Sequence, residues 1–305
     1  MPPTAAPRGA VFPSVLSLIL LAGCASNQPG PVATAAEPTP SAAGVIVMAH
    51  GGDPGWNTAI EAAVEPIRAH YPTAVAFGMA DRATLADAIG KLEERGVRHI
   101  AVVRLFVSGE SFLDQTEYLL GLSDAPPAHP MHHGTPGPDA NTPIPHRARL
   151  VLSADGLAES SLIGQILANR VRDLSRDPAR ESVLLLAHGM GDDAANDRLL
   201  DNLGRRAVQV QAKGPYRTVR VEALREDWAE DREVAERRIR AFVERARADG
   251  GIAIVVPVRV SGFGPYARVL DGYVYRHDGR GLSPHPLLSD WIKEQADKAL
   301  RSISD

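Results

Sequence analysis

The sequence predicts an α/β chain of two tandem lobes, each a doubly wound, mostly parallel four-stranded sheet flanked by helices. Three observations predict it. The stretch VIVMAHGGDPGWNTAI from Val45 returns as VLLLAHGMGDDAANDRLL from Val183: apolar run, Ala-His-Gly, acidic turn, Asn, helix-like segment. Val107-Ser108-Gly109 returns as Val260-Ser261-Gly262, and Gly156-Leu157 returns as Gly281-Leu282. Between these landmarks, short apolar runs rich in β-branched residues alternate with helical stretches, as buried parallel strands and their crossovers do.

In order, the first copy reads as strand 44–49, helix 57–70, strand 73–79, helix 83–95, strand 99–107 and helix 112–122. A long loop then leads to strand 148–154 and a helix from Ser161. The second copy reads as strand 182–187, a helix from Asn196, strand 217–224, a charged helix 231–250 and strand 252–260. GLSPHPLLSDWI opens its closing helix. Lobe one thus spans 45–178 and lobe two 179–305.

The copies differ mainly in one loop, since the interval from Gly109 to Gly156 is 28 residues longer than that from Gly262 to Gly281. The loop, read as 123–148, is rich in Pro and Gly and holds His129, His132, His133 and His146. Weak metal collection and a plain polar loop both fit that composition. Because only one copy has the loop, it is expected to add metal affinity rather than fold.

Residues 1–23 read as a bacterial lipoprotein signal, with Leu21-Ala22-Gly23 leading into Cys24, the sole cysteine. A short membrane anchor or an ordinary signal peptide is the alternative, although the apolar run is too short to span a bilayer comfortably. Residues 24–44, rich in Pro, Ala and Thr, read as a flexible tether. The expectation is a cell-envelope protein anchored to the membrane by lipid on Cys24. A formal charge of -4 and 5% aromatics argue against a nucleic-acid surface.

Ligands of open parallel sheets bind beyond the carboxyl ends of the strands. His50 and His188 stand there, one per copy, and imidazole can bind a borderline metal ion or take a proton. Asp53 and Asp192 read as caps of the following helices, with orientation of the neighbouring imidazole as the alternative. His285, in SPHPLL, reads as part of a helix start, with a cleft-facing role as the alternative. His70, His99 and His277 read as ordinary surface or loop residues.

The ordered motifs, A-H-G with its acidic turn and Asn, then VVPVRVSG, then GLSPHPLLSDWI, resemble the sirohydrochlorin cobalt/iron chelatase family, related to class II ferrochelatases. The resemblance covers nearly everything after Gly44. It implies two chelatase-like lobes and a cleft where a tetrapyrrole lies while Co²⁺, Fe²⁺ or Ni²⁺ is inserted, a lyase activity needing no organic cofactor. It carries the family's first metal-binding histidine onto His50 and, by the repeat, onto His188. The second histidine would fall at Ser111 and Gly264, neither of which replaces an imidazole. A site shared by His50 and His188, or a metal-free relic, then remains open.

Metal insertion also needs a base for the pyrrole protons. Glu110 is the candidate in lobe one, against a solvated loop glutamate, with Gly109, Ser111 and Gly262 as substrate-side loop residues. Because the Glu110-Ser111 turn has only Phe263-Gly264 as its counterpart, activity is expected to depend on His50 more than on His188. A non-catalytic metal- or tetrapyrrole-binding envelope lipoprotein is the competing expectation, and a structural scaffold a third.

Overall fold

The computed structural model describes residues 42–304 apart from 129, 131–136 and 138. The signal peptide, most of the tether, Cys24 and His129, His132 and His133 lie outside the described residues.

Lobe one runs β1 (Ala43–Ala49), α1 (Pro54–Arg68), β2 (Thr73–Phe77), α2 (Arg82–Glu94), β3 (His99–Arg104), α3 (Leu113–Leu119), β4 (Arg149–Leu152) and α4 (Ser161–Leu174). Lobe two runs β5 (Glu181–Ala187), α5 (Asp193–Gln211), β6 (Thr218–Ala223), α6 (Ala229–Ala248), β7 (Ile252–Val258), the short α7 (Tyr266–Val269), β8 (Tyr275–Arg276) and α8 (Pro286–Ser304). The sheets have orders β2-β1-β3-β4 and β6-β5-β7-β8, and every pairing is parallel. β1 takes Ala43 and Gly44 from the segment read as tether, and β8 is a two-residue strand with no separate apolar run to announce it.

Alternation along the strands sets the layers. Val45, Val47 and Ala49 face one core, while Ile46 and Met48 face another with α2 and the end of α3. In lobe two Leu185 and Ala187 join the first core, and Leu184 and Leu186 pack with α6 and α7. That first core is common to both lobes: α1, α4, α5 and α8 lie between the two sheets.

The closing helices are exchanged. α8 packs on β3, β4, β1 and α1 of lobe one, whereas α4 packs on α5 and β7 of lobe two. Polar contacts seal the exchange. Arg170 on α4 donates to the carbonyls of Gly281 and Pro284, Ser283 Oγ donates to Ala59 O, and Tyr71 donates to Asp297 on α8 at 2.7 Å.

The repeated glycines mark where each lobe turns toward its closing helix. Leu157 and Ala158 N–H donate to Phe106 and Val107 carbonyls, and Leu282 and Ser283 repeat this with Arg259 and Val260. A Cβ on Gly156 would stand 2.2 Å from Gly109 N, and one on Gly281 2.5 Å from Arg259 O. Only glycine fits.

The long loop is partly built into lobe one. Ile144 is buried in the α2/α3 core and its N–H donates to Leu119 O, while Arg82 donates to Thr142 O at 2.9 Å. The loop's far end is therefore part of the fold, contrary to the expectation that the whole loop is dispensable to it.

Trp291, on α8, is fully buried in the shared core. Trp291→Ala should lower unfolding free energy by about 3–5 kcal/mol, and the described body should melt in one urea transition because both lobes share that core. Two separated transitions, or an unchanged midpoint in the variant, would show that the lobes stand independently.

Candidate metal and proton-transfer site

The two Ala-His-Gly motifs form the same turn. His50 Nδ1 donates to Gly51 O at 2.7 Å and His188 Nδ1 to Gly189 O at 3.0 Å, since a carbonyl can only accept. The repeated Asn closes each turn: Asn57 Oδ1 accepts from Gly52 N–H, and Asn196 Oδ1 from Met190 N–H. Asp53 and Asp192 cap α1 and α5 by accepting from Trp56 and Ala195 N–H. With Nδ1 committed, His188 has Nε2 as its reactive nitrogen.

The lobes differ just past their second strands. After β6 come Leu224, Arg225, Glu226 and Asp227; after β2 come Gly78, Met79, Ala80 and Asp81, so lobe one has Ala80 where lobe two has Glu226, and its Asp81 caps α2 by accepting from Thr84 N–H. His188 Nε2 lies 3.2 Å from Asp227 Oδ2 and 3.9 Å from Glu226 Oε2. A lone pair on Nε2 facing carboxylate oxygens is repulsive unless a cation stands between them, either a proton or a metal ion. Trp228 lies edge-on to His188 at 6.0 Å and is 37% exposed. His50 has Trp56 edge-on at 6.2 Å.

Behind Glu226 stands Arg259, whose Nη1 donates to Glu226 Oε1 at 2.5 Å and whose guanidinium lies 5.8 Å from the Tyr266 ring centre. Burial acts to lower the Arg259 pKa, but Tyr266 and Glu226 outweigh it and hold the charge more firmly than in water. Burial, helped by Glu226, pushes the Tyr266 hydroxyl far above the usual phenol range. Gly264, in the left-handed region at φ +66°, has its Cβ space filled by Arg259: a Cβ there would lie 2.8 Å from the guanidinium carbon. Lobe two thus carries a guanidinium beside the position where the family resemblance puts a second histidine.

In lobe one Arg104 is 1% exposed, and its guanidinium donates to the carbonyls of Ser111, Gly109, Ser153 and Ala154. It fixes the turn that holds Gly109, Glu110 and Ser111. Ser111 Oγ reaches Met190 Sδ at 4.0 Å, and Glu110 accepts from Arg198 at 2.6 and 2.7 Å, so this turn touches lobe two beside the His188 loop. The Arg198 hydrogen bond holds the Glu110 carboxyl below the usual range, against the opposing effect of burial. Glu110, read as a candidate base, is engaged in a bidentate ion pair. Gly262 lies at φ +72° in the matching turn of lobe two.

Other histidines take structural places. His146 contacts two carbonyls, Ala148 O through Nδ1 and Leu120 O through Nε2. His277 stacks on Phe263 at 4.3 Å. His285 Nδ1 accepts from Leu287 N–H at the start of α8, and its Nε2 meets Asn169 at 3.1 Å.

Among the described residues, no three His, Cys, Asp or Glu side chains are arranged to hold a metal ion. Residues that sequence reading missed are Glu226, Asp227 and Arg259. The signal for the acidic pair was present: EALRED puts two carboxylates just past a strand's carboxyl end, the same rule that selected His50 and His188.

Fold and site define a two-lobed, chelatase-like α/β protein. Residues 44–174 match the CbiX family model. The fold is similar to that of SirB from Bacillus subtilis with Fe³⁺, with TM-score 0.61 and 14% identity over 86% of this chain and 97% of that one. It is also similar to the sirohydrochlorin chelatase SirB from B. subtilis subspecies spizizenii in complex with cobalt, with TM-score 0.55 and 12% identity over 85% and 96%. A multi-domain Deinococcus radiodurans protein with structural similarity to chelatases aligns at TM-score 0.54 and 19% identity, over 85% of this chain and 56% of that one. No curated protein sequence matches the chain.

Burial, then Arg170, lowers the His285 pKa, against Asp173 and Asp290. A histidine held neutral by the fold stabilises it above the unfolded pKa, and that contribution is lost as pH falls through the lowered folded value. The urea midpoint should therefore drop as pH falls below about 6.5, and His285→Asn should flatten that part of the profile. An unchanged pH slope in the variant would contradict this.

Proposed function

We propose that the chain handles a divalent metal ion at His188 and delivers it to a tetrapyrrole of the sirohydrochlorin type. The observation that carries this reading is the approach of His188 Nε2 to Asp227 Oδ2 at 3.2 Å, a nitrogen and a carboxylate that a cation can bridge, with Glu226 Oε2 3.9 Å away. Imidazole plus carboxylate suits Co²⁺, Fe²⁺ or Ni²⁺. Insertion replaces two pyrrole N–H protons with the metal; His188 Nε2 and the Asp227 carboxylate are the groups placed to accept them. Trp228, edge-on to His188 and 37% exposed, offers an apolar face to the macrocycle.

The geometry favours His188 over His50 as the principal metal and proton group, reversing the order expected from the Glu110-Ser111 turn. Insertion of Co²⁺ into sirohydrochlorin, followed by absorbance, tests it. His188→Ala should lower kcat/KM by about 100-fold or more, and His50→Ala by less than about tenfold. Loss confined to His50→Ala would refute this assignment. Metal and tetrapyrrole binding without insertion would support the non-catalytic binding lipoprotein instead, a reading favoured by Ser111 and Gly264 at the second-histidine positions.

The lipid anchor and cell-envelope location belong to the same proposal, resting on the Leu-Ala-Gly-Cys sequence ending at Cys24. No helix among the described residues is long and apolar enough to cross a membrane. Two or three acyl chains on Cys24 would hold the body firmly, so Cys24→Ser should release it from membranes or leave it unprocessed. A variant that stays membrane-bound at the mature mass would contradict the anchor.

A further inference from the structure

The glutamate nearest His188 has two claimants. Glu226 Oε1 accepts from Arg259 at 2.5 Å, while Oε2 lies 3.9 Å from His188 Nε2, beyond hydrogen-bond reach. Arg259 is well placed to hold it: it extends from the end of β7, packs over Tyr266, and fills the space that any side chain at Gly264 would enter. A guanidinium cannot lose its proton in a protein and cannot ligate a metal. Its charge is thus permanent, and it stands a few ångströms from where a divalent ion would sit.

We propose that Arg259 is a resident cation that competes with the substrate metal for Glu226 and so sets how tightly lobe two holds it. This rests on metal handling at His188 and specifies its regulation. With Glu226 paired to Arg259, the ion meets His188 and Asp227 as its protein donors and is held loosely. When Glu226 leaves the guanidinium, the same pocket offers one nitrogen and two carboxylates, a set that resembles a metal trap. Arg259 thereby favours release to an acceptor over retention. Arg259 is a positioning residue that acts through Glu226, so its test needs a readout other than turnover.

The experiment is Co²⁺ titration of the full-length protein, by calorimetry and by visible absorption, for wild type, Arg259→Gln, Arg259→Lys, His188→Ala and Arg259→Gln/His188→Ala. Arg259→Gln should tighten Co²⁺ binding about tenfold, the scale of change when a group supporting a metal ligand is altered. Its cobalt bands should shift as a carboxylate enters the ligand set, and the gain should vanish in the double variant. Arg259→Lys keeps a charge on a shorter arm and should fall between. If Arg259→Gln does not fold, Arg259→Lys carries the test, with at least about twofold tightening expected from a looser ion pair. Wild-type binding that depends on His188 but does not tighten in either Arg259 variant overturns this proposal alone. Binding that is absent, or indifferent to His188, in every variant overturns the reading of His188 as the metal site and this proposal with it.

Discussion

Everything else in this protein hangs on the exchange of its closing helices. Each lobe's sheet is covered on its inner face by a helix from the other lobe, α8 on the first and α4 on the second. The inner faces therefore share one apolar core, with Val45, Val47, Leu185 and Trp291 in the same cluster. Neither sheet can bury that face alone, so the relative placement of the lobes is a packing consequence, not a matter of a linker. The chain order 45–178 and 179–305 describes the repeat, but the packing units cross that boundary.

That constraint fixes where chemistry can occur. Parallel strands aligned by a common core present their carboxyl ends together, and the loop beyond β3 meets the loop beyond β5 through Ser111–Met190 and α5 through Glu110–Arg198. Duplication then allowed the two ends to diverge. Lobe one keeps the imidazole and a turn pinned by the buried Arg104, while lobe two keeps the imidazole and adds Glu226, Asp227 and Arg259. In both lobes an arginine lies against the position where the family resemblance expects a second histidine. Lobe one commits that arginine to carbonyls, lobe two to a carboxylate.

Much of this was legible in the sequence, for identifiable reasons. The repeated His-Gly-acidic-Asn run encodes a turn closed by Asn57 and Asn196, with Asp53 and Asp192 as caps, and local chemistry of that kind survives in the letters. The glycine landmarks were legible because close backbone approach permits no side chain. The helix exchange was not, because α4 and α8 have the same amphipathic character whichever sheet they cover. Glu110 read as a base because pattern cannot reveal Arg198, 88 positions later, across the lobe boundary. Glu226 and Asp227 were signalled by their place past the second strand's end but overlooked, since they lie outside the repeated motifs that carry the family resemblance. The short β8 was hidden because two residues carry no period.

The central claim is that lobe two, through His188 and its carboxylates, is where metal is held. Cobalt X-ray absorption on the Co²⁺-loaded protein tests it most directly, since the outer-shell scattering of imidazole rings counts histidine ligands. One histidine with oxygen donors completing the shell, and loss of that histidine signal in His188→Ala, is the predicted result. Two imidazoles on one cobalt, or a one-histidine spectrum that persists in His188→Ala and disappears in His50→Ala, would contradict it.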